Sequence, residues 1–290
     1  MKSFFQTLKL LYRVIRNIKS LKMNKDCIGR SISRDYGPLT NKDLQLYATA
    51  TRDDPEKYAA PGCQIPPFYT SRLMGSMFHR LLADKDLKMN IIRMVHAKQE
   101  VIVHKTIHQG DIINVKLFIS AINDTDKGQE CVVTSESTRN GELCQKGKST
   151  FLVISPHRKS VSKKVQEVLK ENFEHPIETK EGQQLLYAKV SKDTNFIHTN
   201  NFLAKLAGFP RTIMHGICIQ AMTCNVLLGK QLNDDISSLK SMVVYFSKPV
   251  FPGDTIHVRG YHDKKSKTIN FNVKRKSGKA VLKNSILTYK

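Results

Sequence analysis

The sequence predicts an α+β fold built twice over, and two observations carry that prediction. The first is an internal repeat. Val101 to Val115 and Val244 to Val258 superpose at an offset of 143 with the steps Gly110-Asp111 and Gly253-Asp254 in register, and Leu44 to Asp53 parallels Gln184 to Asp193 at an offset of 140. Two matches at nearly one offset point to a duplicated domain. The second is the order of elements within each repeat. An apolar helical segment comes first, Ser71 to Leu82 or Ile217 to Leu228, and period-two apolar runs follow it. One central helix with an antiparallel meander wrapped on it is an α+β layer.

Taken in order, residues 1–29 form a basic amphipathic segment. Lys2, Lys9, Arg13, Arg16, Lys19, Lys22 and Lys25 occur with no acidic residue among the first 25, while Phe4, Leu8, Leu11, Ile15, Ile18 and Leu21 recur at helical spacing. Charge interrupts the segment too often for it to span a bilayer. It is read as a membrane-surface helix through residues 1–24, then as an organellar transit peptide leading to a mitochondrial matrix location, then as a helix docked on the body. Residues 30–155 form the first domain, with strands expected near 92–103, 111–121, 129–138 and 147–154. Residues 156–166 are a polar, basic linker, and residues 167–290 are the second domain, with strands near 241–247, 254–261, 268–274 and 280–288.

Composition narrows the function classes. Hydrophobic residues make up 40% of the 290 residues, enough for a core. The formal net charge of +22 attracts polyanions and acidic partners, although lysines spread along the chain also fit a merely solubilised surface. No zinc-finger spacing, RNA-binding aromatic strand or phosphate loop accompanies the charge, so nucleic acid is not the expected partner. Cys27, Cys63, Cys131, Cys144, Cys218 and Cys224 form no C-x-x-C pair and suit a reducing, cytoplasmic setting.

The chemistry-bearing stretch is Tyr187 to His198, followed by Gly208-Phe209 and His215-Gly216. Asp193 and His198 stand five residues apart in a loop after an apolar helix, as an acid–base pair would. Asn195 is expected to brace the loop through its own backbone. Gly208 suits the C-cap of the short helix Phe202 to Ala207. Gly216 opens the long apolar helix, where unpaired main-chain N–H groups favour a developing oxyanion. In the first half the matching places hold Tyr58, opposite His198, and Pro67-Phe68, opposite His215-Gly216, so the first half is read as having kept the fold and lost the site.

Residues 165–288 resemble the MaoC-like, (R)-specific 2-enoyl thioester hydratases and dehydratases of the hot-dog fold, on the Asp193/Asn195/His198 pattern, the His215-Gly216 step and the run Pro249 to Thr255. Residues 30–155 share the resemblance only through the repeat. The resemblance implies a tandem (double) hot-dog fold and a hydro-lyase of fatty-acid metabolism. It assigns Asp193 and His198 to catalysis, and Gly216, Asn195, His215 and Ser191 to the oxyanion and the substrate. It implies no cofactor and no metal, an acyl-ACP or acyl-CoA substrate, and a first half that holds the acyl tail. An acidic acyl carrier protein is the expected partner, and the chain is expected to be a monomer formed as a pseudo-dimer, or a homodimer. Phe196 stands where the family usually has proline. A hot-dog thioesterase and a non-catalytic thioester-binding protein stay open as alternatives.

Overall fold

A computed structural model of the chain describes residues 20, 22–156 and 171–290. The segment expected to form a basic N-terminal helix and most of the expected linker lie outside the described residues. The rest forms one ten-stranded antiparallel sheet, in the order β1-β3-β4-β5-β2-β7-β10-β9-β8-β6. Its strands are β1 (Ser31–Tyr36), β2 (Met94–Val103), β3 (Ile113–Thr125), β4 (Gly128–Arg139), β5 (Glu142–Ile154), β6 (Phe173–Glu178), β7 (Leu239–Phe246), β8 (Thr255–Asp263), β9 (Thr268–Arg275) and β10 (Ala280–Tyr289). Both halves use the same strand order, and they join where β2 pairs with β7, with Glu100 opposite Val243, a pair of residues 143 apart.

The helices are α1 (Asn41–Ala50), α2 (Tyr69–Leu73), α3 (Gly75–Leu82), α4 (Gln183–Ser191), α5 (Phe196–Thr199), α6 (Asn201–Leu206) and α7 (Gly216–Gln231). Cys218, Ile219, Ala221, Met222, Cys224, Leu227 and Leu228 of α7 are all buried, which is why this helix is apolar nearly all round. The sheet wraps α7 in the second half and α2–α3 in the first. Tyr47 of α1 and Tyr187 of α4, 140 residues apart, meet between the halves with ring centroids 6.3 Å apart. This is the double hot-dog arrangement. No described helix is long and apolar enough to cross a membrane.

The repeat persists in individual hydrogen bonds. Gly110 and Gly253 both take positive φ, 89° and 83°. Asp111 Oδ2 accepts the His108 N–H at 2.8 Å, and Asp254 Oδ2 accepts the Phe251 N–H at 3.1 Å. Leu39 N–H and Thr179 N–H donate to the carbonyls of Asp111 and Asp254, both at 3.0 Å. The Gly-Asp step therefore docks the entry of each half onto its sheet. It does not close a hairpin: β2 pairs with β5 and not with β3, so the four expected strands do not form a simple meander.

Two strands escaped the sequence reading. β1 (SISRDY) and β6 (FEHPIE) are short, mostly exposed edge strands, and β6 carries Pro176, which an edge tolerates. The helix expected over Ser71 to Leu82 is two pieces that meet at Met74 and Gly75. A Cβ on Gly75 would lie 2.7 Å from the Ser191 carbonyl oxygen. The first-half helix thus presses directly on the loop that carries Asp193.

Candidate active site

The site grows from the C-terminus of α4. Lys192 takes φ of 58°, which turns the chain sharply so that Asp193 points back across the helix end. Asn195 caps α5: its side chain accepts the Ile197 N–H, and its own N–H donates to Asp193 Oδ1 at 3.2 Å. The loop is thereby set with Phe196 at the first helical position, where proline would also fit, so the missing proline does not loosen it. Ser191 lies beneath the site. Its hydroxyl donates to the Tyr187 carbonyl at 2.8 Å and accepts the Asp193 N–H at 3.2 Å, so it holds the loop where a substrate-facing role was expected.

His198 is buried on α5, and its Nδ1 lies 2.8 Å from the Ile213 carbonyl oxygen. A carbonyl only accepts, so Nδ1 carries the proton and Nε2 presents a lone pair. Burial, followed by the neighbouring His215 ring, lowers the His198 pKa to about 3, so the ring is a neutral base at physiological pH. His215 stacks on it with centroids 3.7 Å apart. Its Nε2 donates to the Asp193 carbonyl at 3.1 Å, and its buried Nδ1 has no partner among the described residues. Burial lowers the His215 pKa too. The Tyr187 ring packs on His215 at 4.9 Å, so a continuous stack of rings fixes His198 in place.

One oxygen of Asp193 and one ring nitrogen each of His198 and His215 lie within 4.8 Å of one another. That span suits a single bridging water. It does not suit a metal ion, because ring lone pairs lie in the ring planes, and two stacked rings only 25° apart do not aim them at one point. Gly216 begins α7 directly after His215, and as the first helical residue its N–H has no intrahelical acceptor and carries the partial positive charge of a helix N-terminus. A Cβ there would meet the Phe246 ring at 2.9 Å, so glycine is a steric requirement.

Sequence reasoning missed the first half's contribution. His79 of α3 places Nε2 2.9 Å from Asp193 Oδ1. Burial opposes the charge on both partners. The contact outweighs burial, raising the His79 pKa and, with His215 and His198 nearby, holding the Asp193 carboxyl far below the usual carboxylate range. Among the described residues, no donor reaches Asp193 Oδ2. His96 of β2 stacks between Phe151 and Phe246, at 4.7 Å from each, and supports the ring that bounds Gly216. No local pattern announces either histidine. Their one signal, spacing within a predicted helix and strand, became meaningful only once the halves were joined.

Known proteins share this architecture. Residues 164–284 match the MaoC-like domain, and residues 26–144 match the FAS1-like dehydratase domain region. The chain is 27% identical over 231 residues to peroxisomal multifunctional enzyme type 2 of Mus musculus, covering 76% of this chain and 31% of that one. It is 37% identical over 79 residues to 3-hydroxyacyl-thioester dehydratase Y of Mycobacterium tuberculosis, covering 27% of each. The chain thus spans about a third of the length of the curated relatives it matches. A solved MaoC-like dehydratase from Phytophthora capsici superposes with a TM-score of 0.79 at 20% identity, covering 92% of this chain and 98% of that one. A Mycobacterium tuberculosis protein described as having a double hotdog fold superposes at 0.58 with 10% identity, covering 90% and 96%. The repeat, the joined sheet and these matches show a double hot-dog fold whose second half, residues 164–284, matches the MaoC-like domain and whose first half, residues 26–144, matches the FAS1-like dehydratase domain region.

Proposed function

We propose that the chain is a hydro-lyase that interconverts trans-2-enoyl and (3R)-hydroxyacyl thioesters, with residues 167–290 as the catalytic domain and residues 30–155 as its supporting half. The observation that carries this reading is one Asp193 carboxylate oxygen within 4.8 Å of ring nitrogens of His198 and His215, next to the helix that Gly216 opens, with the His198 Nδ1 proton spent on the Ile213 carbonyl so that Nε2 keeps its lone pair. In hydration, the thioester oxygen sits on the Gly216 N–H. The water oxygen bonds to C3 while His198 Nε2, with Asp193 holding the other proton, removes one of the water's protons. The resulting enolate, stabilised at Gly216, takes a proton at C2 from the same pair. Dehydration reverses these steps. Preorganised donors of the Gly216 kind contribute roughly 3–4 kcal/mol in comparable oxyanion sites.

The +22 charge supports an anionic carrier on the acyl group, either coenzyme A or an acidic acyl carrier protein, with an encounter rate that falls as salt rises. The two halves already supply both central helices and one continuous sheet, which supports a monomer built as a pseudo-dimer. A hydration assay on short and long enoyl thioesters tests the reaction. Wild type is expected to hydrate, and Asp193→Asn and His198→Ala to lose about 100- to 10,000-fold in rate. Acyl-thioester hydrolysis without hydration would replace this reading with a thioesterase.

A further inference from the structure

We propose that His79, carried by the half that lacks its own dyad, is a positioning residue for Asp193: its ring N–H ties down Oδ1 so that Oδ2 is left facing the reactive water. This rests on the hydro-lyase reading above and adds to it a residue from the other domain.

Three independent observations converge. The His79 Nε2 to Asp193 Oδ1 distance is 2.9 Å. Oδ1 also accepts the Asn195 N–H, so both fixed donors converge on one oxygen and the carboxylate cannot rotate without losing both. Gly75 lies one turn before His79 on the same face of α3. With no Cβ there, α3 approaches to where an alanine methyl would sit 2.7 Å from the Ser191 oxygen and 3.1 Å from the Asp193 Cβ. Gly75 thus sets the distance and His79 makes the contact. The two side chains are 33% and 29% exposed, so the pair stays within reach of solvent. The other titratable groups facing the pair are His198, His215, Tyr187 of α4 and, from β2, His96.

The test uses the full chain with His79→Ala, His79→Gln, Gly75→Ala and the His79→Ala/Gly75→Ala double variant, each checked for native circular dichroism. His79→Ala should lower kcat by about 100-fold with KM nearly unchanged, the effect of a misplaced catalytic group. His79→Gln, whose amide still donates, should recover about tenfold of that loss. Gly75→Ala should lower kcat in the same way and add little to His79→Ala, because both act through one contact. Wild-type kcat in His79→Ala, or Gln no better than Ala, overturns the proposal. A readout independent of activity separates it from the reaction itself. Ring-nitrogen NMR should show His79 titrating at lower pH in Asp193→Asn than in wild type, and an unchanged titration overturns the contact. A wild type that does not hydrate while His79 responds to Asp193→Asn supports the contact and overturns the hydro-lyase reading alone.

Discussion

Asp53 and Asp193 stand 140 residues apart on the same backbone turn, each directly after a residue in the left-handed region, Arg52 at φ 60° and Lys192 at φ 58°. Their surroundings differ completely. Asp53 is sealed: Oδ2 accepts the Tyr58 hydroxyl at 2.6 Å, and Oδ1 accepts the Asp54 N–H at 2.9 Å and the Lys57 ammonium at 3.1 Å. Its side chain is 7% exposed, against 29% for Asp193. Tyr58 is wholly buried, and burial, reinforced by Asp53, drives its pKa far up, so it is a fixed donor that gives up no proton. Asp193 has Oδ1 tied and, among the described residues, no donor on Oδ2, and near it stands a neutral imidazole with an available lone pair. One backbone thus serves two ends. A phenol in the fifth position closes the carboxylate into the structure, and with an imidazole there the carboxylate stays partly exposed.

The largest expected effect tests that contrast directly. Asp193→Asn should abolish hydration by about 100- to 10,000-fold, whereas Asp53→Asn should leave the rate intact and lower only the melting temperature. Loss of activity in both would show that the halves are not divided in this way. Gly216→Ala follows. Its new methyl meets the Phe246 ring, shifts the start of α7 and should lower kcat by about 100-fold in the same assay. Grafting the imidazole should fail: Tyr58→His in a His198→Ala background is expected to restore no hydration, because Lys57 and the Asp54 N–H still hold Asp53. Recovered turnover would mean that the fifth residue alone makes the site.

Two smaller effects concern stability. Tyr58→Phe removes a buried hydrogen bond to a carboxylate and should cost about 1–3 kcal/mol by chemical denaturation, with kcat unchanged. His198 has its pKa lowered from an unfolded value of about 6.5, so the unfolded chain binds more protons than the folded one below that pH. Its contribution is intact above the unfolded pKa and is lost as pH falls toward about 3. Between pH 7 and pH 5 this ring alone should remove roughly 2 kcal/mol of stability. A His198→Phe variant with the same pH slope as wild type would disprove the neutral buried ring.

Much of the site was readable because Asp193, Asn195, His198 and Gly216 sit within one short stretch, where a turn, a cap and a helix start are local events. The eight central strands and both central helices were readable from periodicity, since burial on one or both faces writes itself into the residue pattern. β1 and β6 were not, because an edge strand with little burial keeps little pattern. For Ser191 the sequence pointed to the substrate, whereas its bonds to Tyr187 and Asp193, a loop brace that the letter alone does not reveal, come from the structure.

The sequence by itself determined the duplication, the two central helices, and a single Asp–His pair next to a helix start. Tertiary structure alone decided that β2 crosses to β5 and joins β7, that Asp53 is sealed, and that His79 reaches Asp193 from 114 residues away. The physical reason is range. Turns, caps and amphipathic faces depend on neighbours a few residues apart, whereas the orientation of a carboxylate depends on whichever side chains the packed halves bring within hydrogen-bond distance, and sequence separation carries no record of that.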